Sequence, residues 1–362
     1  MTFFAPGGSF TVGAEDEVFL VDGNGALVPS LGEAVVSSWR DRADIDSARV
    51  SGELYSAQIE FATSVCADGG EIACQLGSLR SELAARGVRA LAAGLHPQAP
   101  FGEVDLGTAD RYTAIGATFA GLLRTPTAAF QVHVGLPDPA SAMLAYRGLR
   151  HRLVVLQALA SNSPFWHGRD SGMASARWAV ISSYPRGGIP PVLRSYDEYV
   201  ALLGAVQAAA EVPDYTQVWW DARLQPRLGT IEVRVMDAQP SLSVAAGLSA
   251  LTQGMVRCAV EQPLAVDVPS EVLAENSFRA ARYGLETTIA DVDGTMRPLR
   301  VVAARMLEEA RDVLRTDDLD APLQEVDRLL ADETSYARQR RLHAETGMEA
   351  VLDDLTVGAG EV

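Results

Sequence analysis

Four short segments each carry two polar residues, two positions apart, of types that bind metals or move protons. In residues 11–22 these are Glu15 and Glu17, with Val12, Ala14, Val18 and Leu20 directed the other way and Asp16 as an exception. Gln58 and Glu60 share a face opposite Ile59 and Phe61, and Gln131 and His133 share one opposite Val132 and Val134. Glu232 and Arg234 share a face opposite Ile231, Val233 and Val235. A spacing of two puts both members on one side of a strand. Glu15, Glu17, Glu60 and Glu232 gathered on one concave surface would repel one another and raise one another's pKa. A cation relieves that repulsion, and an all-oxygen carboxylate set with a carboxamide suits Mg2+ or Mn2+ rather than zinc. Glu53, shortly before Glu60, adds a fifth carboxylate.

Taken singly, each strand also reads as the wet face of an ordinary antiparallel sheet. Four together weaken that reading, because the polar positions hold Glu, Gln, His and Arg rather than Thr, Ser and Lys. His133 reads equally as a structural residue and as a metal ligand. Carboxylate-bound Mg2+ facing a nucleotide phosphate is a recurring arrangement for phosphoryl transfer. Arg234, within the acidic face, and Arg177 are the candidate catalytic cations. Arg227, Arg338 and Arg340 lie in motif-like segments and are candidates for holding the nucleotide, although a surface Arg commonly serves solubility alone.

The elements that must position these residues are strands in the first two thirds, interleaved with helices, and helices throughout the last quarter. Apolar spacing predicts helices over 71–93, with Gly94 as its stop, 139–161, 240–262, 268–284, 297–315 and 320–353, with breaks near 291–298 and 317–322. The 162–192 segment, rich in Gly, Pro and Ser, reads as one long loop, and loops of that length are often functional. No composition shift marks a boundary, so residues 1–362 read as a single domain.

Composition narrows the chemistry further. All 30 basic residues of the 362-residue chain are Arg, and none is Lys. P-loop nucleotide binding, PLP chemistry and the protein-kinase mechanism all need a Lys and are excluded. Any anion must be held by Arg forks, backbone amides or metal ions. The net charge of −17 argues against a nucleic-acid surface. Cys66, Cys74 and Cys258 suggest neither a disulfide framework nor a structural zinc site. No N-terminal apolar stretch approaches the roughly 20 residues of a membrane span, and no basic region precedes a signal core. The expectation is a soluble, cytoplasmic protein without a membrane partner.

Read as motifs, the same residues resemble a known family. Gly13-Ala14-Glu15-Asp16-Glu17 followed by Phe19-Leu20-Val21-Asp22 is similar to the opening strand of carboxylate–amine ligases of the glutamate–cysteine ligase type 2 group. The likeness continues through Glu53-Leu54, Gln58-Ile59-Glu60-Phe61-Ala62-Thr63, Val132-His133-Val134-Gly135, Asn162-Ser163-Pro164-Phe165-Trp166 and Gly168-Arg169-Asp170-Ser171-Gly172. Trp219-Trp220-Asp221-Ala222-Arg223, Pro226-Arg227-Leu228-Gly229-Thr230-Ile231-Glu232-Val233-Arg234, Glu275-Asn276, Arg279-Ala280-Ala281-Arg282-Tyr283-Gly284 and Arg338-Gln339-Arg340-Arg341 complete it, in order, over nearly the whole chain.

The resemblance implies an α+β, glutamine-synthetase-like fold: a curved, mainly antiparallel sheet with an open catalytic face, backed by helices. It implies that ATP phosphorylates a substrate carboxylate, by default the side chain of glutamate, and that an amine, by default that of cysteine, attacks the acyl phosphate. Glu15, Glu17, Glu53, Glu60 and Glu232 fall on the family's metal-binding positions, and Arg234 on the Arg that contacts the transferred phosphoryl group or the acyl substrate. Gln131 stands where the group usually has His, Met173 where it has Tyr, and Tyr184-Pro185-Arg186 where it has Trp-Pro-Thr. Metal contact through the carboxamide of Gln131 fits the first change. The others bear on the acceptor or acyl pocket and leave room for a different amino acid or amine, or for a binding protein without catalysis. An acyl phosphate must be kept dry, which makes 162–192 the candidate lid. A homodimer is the default assembly.

Overall fold

Side chains that alternate in the sequence alternate across the sheet at the centre of this protein. The computed structural model describes residues 3–40, 49–102, 104–119, 121–264, 267–315 and 320–358. The strands of its first half are β1 (Val12–Val21), β2 (Val50–Gly52), β3 (Gln58–Ala62), β4 (Arg89–Leu91) and β5 (Ala129–Gly135). Then come the short β6 (Phe165–Trp166), β7 (Arg169–Asp170), β8 (Gly187–Gly188) and β9 (Trp219–Trp220), followed by β10 (Ala222–Gln225) and β11 (Thr230–Asp237). β12 (Thr288–Ala290), β13 (Met296–Pro298) and β14 (Thr356–Val357) close the series. The main sheet has eight strands in the order β10-β11-β5-β1-β3-β2, with β4 pairing β1 beyond β5 and β14 pairing β4. Every pairing in it is antiparallel.

The register sets the polar residues side by side. Glu17 is opposite Glu60, and Glu60 opposite Ser51. Glu15 is opposite Gln131, His133 opposite Glu232, and Glu232 opposite Arg223. Between Val233 and Met236 the pairing with β5 slips by one residue. Such a bulge re-aims side chains, and it corrects one expectation: Val235 reaches the wall of the open face, while Met236 is fully buried in the core.

Helices cover the other face, and two of them contribute instead to the wall of the open face. They are α1 (Leu31–Arg40), α2 (Gly69–Ala85), α3 (Asp110–Phe119), α4 (Pro139–Leu149), α5 (Leu153–Leu159), α6 (Arg177–Ile181) and α7 (Tyr196–Ala210). The later ones are α8 (Leu242–Glu261), α9 (Ser270–Tyr283), α10 (Leu299–Leu314), α11 (Asp320–Ala331), α12 (Ser335–Thr346) and α13 (Met348–Asp354). Side-chain caps fix several starts: Asp68 accepts from the Glu71 N–H at α2, and Asp138 from Ser141 at α4, where Pro139 opens the helix. α8 is buried along most of its length and packs on α2, α4, α10 and α11. Glycine permits two of these close approaches. A Cβ on Gly148 would lie 2.4 Å from the Ala259 Cβ, and one on Gly254 would lie 2.5 Å from the Ala310 Cβ.

Several predicted helices are shorter or divided. The one expected over 71–93 ends at Ala85, because Gly87 takes a left-handed φ of 73° and the chain turns into β4. The one expected over 139–161 divides at 150–152, where Arg152 donates to the Gly148 carbonyl and Arg150 to those of Pro190 and Val268. The 320–353 pattern is three helices, the last two separated by Gly347 at φ 100°. The break near 291–298 is the turn and second strand of the β12–β13 hairpin; residues 317–319 of the other expected break lie outside the described residues. No helix among the described residues is long and apolar enough to cross a membrane. All three cysteines are free thiols.

Asp16, the exception on β1, faces the helices and is fully buried. Its carboxylate pairs with Arg80 of α2 at 2.9 and 3.0 Å, and Arg80 also donates to the carbonyls of Gln239 and Pro240. One guanidinium thereby ties β1, α2 and the entry to α8 together. Removing one partner of a buried pair strands the other, at a cost of about 3–5 kcal/mol. Arg80→Met should lower unfolding free energy by that amount in urea denaturation, with little change in the slope.

Candidate active site

The open face of the sheet forms a cavity of about 400 Å3. Strand alternation builds its floor: β1 supplies Glu15 and Glu17, β3 Gln58 and Glu60, β5 Gln131, and β11 Glu232 and Arg234. Glu53 enters from the turn after β2, Arg177 from α6, and Arg111 and Tyr112 from α3. Two trios have ligand atoms within 4.8 Å of one another, Glu15–His133–Glu232 and Glu17–Glu53–Glu60.

The trios differ in charge balance. In the first, burial pushes Glu15 up, but its contact with His133 outweighs that and leaves it lowered. Burial disfavours a charged His133, yet Glu15 and Glu232 hold it above its ordinary value. Burial also works against a charged Glu232, and Arg234 and Arg223 overcome it, holding that carboxyl far down. Arg223 reaches both Glu232 oxygens at 2.8–3.0 Å, and Arg234 and Gln225 donate to them as well. His133 Nε2 lies 3.2 Å from Glu15, and its Nδ1 is 3.0 Å from the Thr230 hydroxyl.

The second trio has no cation among its own members. Burial, and then the charge of Glu53, push Glu17 up to about 8. Burial raises Glu53, and burial with the charges of Glu15, Glu53 and Glu17 raises Glu60 well above the carboxylate range. Gln131 donates to Glu17 at 2.7 Å, leaving its own carboxamide oxygen buried without a partner. Three mutually repelling carboxylates and a spare amide oxygen fit a hard divalent cation such as Mg2+.

Arg177 is buried, which disfavours its charge. It donates to the backbone carbonyls of Arg234 and Val235, bracing the bulge that aims Arg234. Its helix is fixed through Asp237, which accepts from the Asn162 N–H and the Ser163 and Ser175 hydroxyls at 2.7–2.9 Å. The 162–192 segment is therefore not one open loop: it carries β6, β7, α6 and β8, and its first half is an anchored wall.

The structure does not bring Arg227, Arg338 and Arg340 to the cavity wall. Arg227 sits on the β10–β11 turn, 71% exposed and 3.5 Å from Asp214. Arg338 pairs with Asp354 at 3.0 Å, and Arg340 with Asp170 at 2.8 Å, so both guanidinium groups tie α12 to its neighbours.

Sequence reading quoted Trp219-Trp220-Asp221-Ala222-Arg223 as a motif without giving it a site role, and passed over Gln225; Trp219, Asp221, Arg223 and Gln225 all line the cavity. Their own period-two spacing was the available signal. It also missed the apolar end of the cavity, where Phe119, Tyr184 and Trp219 meet edge to face with centroids 5.7–6.2 Å apart. The Arg186 guanidinium lies 5.1 Å from the Trp219 ring and 5.4 Å from that of Phe119. These contacts join α3, β9 and the stretch before β8, and no local pattern announces them.

With the geometry in place, the comparisons with known proteins are specific. The sequence profile of glutamate–cysteine ligase family 2 matches residues 11–353. A Haloferax volcanii protein named glutamate–cysteine ligase is 31% identical over 358 residues, 96% of each chain. A crystal structure of glutamate–cysteine ligase from Francisella tularensis in complex with AMP superposes with a TM-score of 0.72 at 13% identity, covering 98% of this chain and 89% of the other. A bifunctional glutathione synthetase from Pasteurella multocida superposes with a TM-score of 0.67 at 15% identity, covering 95% of this chain and 51% of the other. At those identities the two structures bear on the fold, which is the α+β, glutamine-synthetase-like architecture expected from the motifs.

The second trio has a measurable consequence. Its raised carboxyls bind protons in the folded protein that the unfolded chain releases, so their stabilisation is full at low pH and lost as pH climbs through about 8. Without divalent cation, stability should fall from about pH 5 to about pH 8, and Mg2+ should flatten that slope while displacing protons. Urea midpoints across that range, with and without MgCl2, read the first effect, and proton release on titration reads the second. A slope that Mg2+ leaves unchanged would count against cation binding at Glu17, Glu53 and Glu60.

Proposed function

The chain belongs to glutamate–cysteine ligase family 2, and from that premise we propose that it is an ATP- and Mg2+-dependent carboxylate–amine ligase acting through an acyl phosphate. Glutamate, through its γ-carboxylate, and L-cysteine are the default substrates, and residues 1–362 act as one catalytic domain. The observation that carries this reading is the meeting of two cation-competent trios with Arg177 and Arg234 in one cavity.

The substrate carboxylate attacks the γ-phosphorus of ATP, the bond to the bridging oxygen breaks, and ADP leaves with its electron pair. An amine then attacks the acyl carbon, the C–N bond forms, and phosphate leaves as the C–O bond breaks. Bound divalent cations supply charge neutralisation at the transferring phosphoryl group. Glu17, Glu53 and Glu60, with the free carboxamide oxygen of Gln131, are the residues that would hold one. Glu15 and His133 offer a second set in which Glu232 is shared with Arg223 and Arg234.

Arg234, held by Glu232 beneath it, presents a planar fork to phosphoryl oxygens. Arg177 keeps that fork aimed by holding the carbonyls at the bulge. The anchored wall and the aromatic end limit water at the acyl phosphate, which would otherwise hydrolyse. The aromatic end also supports a second reading, a ligase of the same chemistry whose acceptor is an amine other than cysteine.

The test is ADP release with MgATP across pairs of amino acids and amines, with the product identified by mass. ADP release that needs both a carboxylic acid and an amine is the expected outcome. MgATP binding without ADP release in any mixture would indicate a binding protein, and ADP release without amide a hydrolase. Arg234→Lys should lower kcat by about 100-fold or more, because an ammonium cannot replace a bidentate fork at the transferring group. Wild-type turnover in that variant would make Arg234 structural.

A further inference from the structure

Among the described residues the cavity is lined by six carboxylates: Glu15, Glu17, Glu53, Glu60, Asp221 and Glu232. Five belong to the two trios. Asp221 belongs to neither, and it alone of the six has no hydrogen bond or ion pair to its side chain among the described residues. Its backbone is fixed on both sides, with its N–H on the Gly188 carbonyl and its carbonyl on the Arg234 N–H, each at 2.9 Å. The position is therefore rigid while the carboxylate is uncommitted.

Placement gives that carboxylate a use. Asp221 follows Trp219 by two residues on the same face, about 7 Å along the chain, so it stands between the aromatic end and the arginine pair. The acyl phosphate in the proposed reaction lies against Arg234. An acceptor coming from the aromatic end reaches that centre past Asp221. Amino acids arrive as ammonium ions, and an ammonium has no lone pair for attack. The carboxylates of the trios are committed to cations or arginines when the site is loaded and cannot take the proton. Burial raises Asp221 to about 6 against the pull of Arg177 and Arg234, so it is ionised near neutrality yet a better base than a surface carboxylate.

We infer that Asp221 receives the acceptor ammonium and removes its proton, with the acceptor's apolar side group lying against Trp219, Phe119 and Tyr184. One N–H proton passes to the Asp221 carboxylate, and the freed lone pair forms the C–N bond as the C–O bond to phosphate breaks. The second N–H proton lost on forming the amide leaves with the phosphate, and Asp221 returns its proton to solvent. The inference rests on the ligase reading and deepens it: it assigns the acceptor subsite and its base.

The experiment compares two nucleophiles with MgATP and glutamate. L-cysteine must be deprotonated, whereas hydroxylamine is already neutral near pH 7 and traps the acyl phosphate as a hydroxamate. Asp221→Asn, an isosteric change at a side chain without a hydrogen-bond partner, should cut peptide formation by about 100-fold or more while most of the hydroxamate rate survives. Asp221→Glu should restore part of the peptide rate. Equal loss of both products, or loss of neither, would overturn the assignment, the first outcome placing Asp221 in support of phosphoryl transfer. Wild-type protein that yields no hydroxamate would instead overturn the ligase reading, and this inference with it.

Discussion

Crowding of like charge on one sheet face is the constraint around which this protein is organised. Carboxylates from β1, β3, β11 and the β2–β3 turn converge on one cavity, where each makes its neighbours harder to ionise. The chain answers in two ways on the two sides of β1. Towards β11 it supplies its own cations, so Glu232 is gripped by Arg223 and Arg234, and Glu15 is met by His133. Towards β2, Arg177 and Arg111 offset the repulsion only in part, and the rest persists as a standing demand for an outside cation. The asymmetry separates a pre-organised arginine side from a side whose carboxylates suit a metal ion.

Two other buried acids, Asp16 on the back face and Asp237 behind the cavity wall, use the same vocabulary to a different end. Each is saturated, the first by Arg80 and the second by two hydroxyls, a backbone N–H and the nearby Arg177. Saturation makes them fasteners. Asp237 links the 162–192 wall to the end of β11, and Arg177 carries that fixation to the bulge that aims Arg234. Saturated acids thus brace the open face, one from the back of the sheet and one from the wall beside the cavity.

Much of this was legible in the sequence because strand alternation is a local rule. Glu15 with Glu17, Gln131 with His133 and Glu232 with Arg234 announced a polar face, and antiparallel register did the rest. What local rules do not encode is curvature and long-range partnership. The bulge that sends Val235 to the cavity and Met236 to the core depends on pairing with β5. The division at 150–152 depends on Arg150 finding carbonyls at 190 and 268. Arg227, Arg338 and Arg340 looked like anion holders because an Arg in a motif looks the same whether its partner is a ligand or an Asp elsewhere in the chain. Asp221, quoted within a motif, was given no role because its strand context is two residues long on one side and begins again on the other.

The absence of lysine has a last consequence, now that arginines are seen to line the cavity. A mixed anhydride of a carboxylic acid is a promiscuous acylating agent, and an ε-amine within reach would become its victim. Guanidinium groups stay protonated and do not compete as nucleophiles. Arg177, Arg223 and Arg234 can therefore surround an activated acyl group, supply positive charge, and remain inert towards it. In the proposed reaction such a site would confine a reactive electrophile without being modified by it.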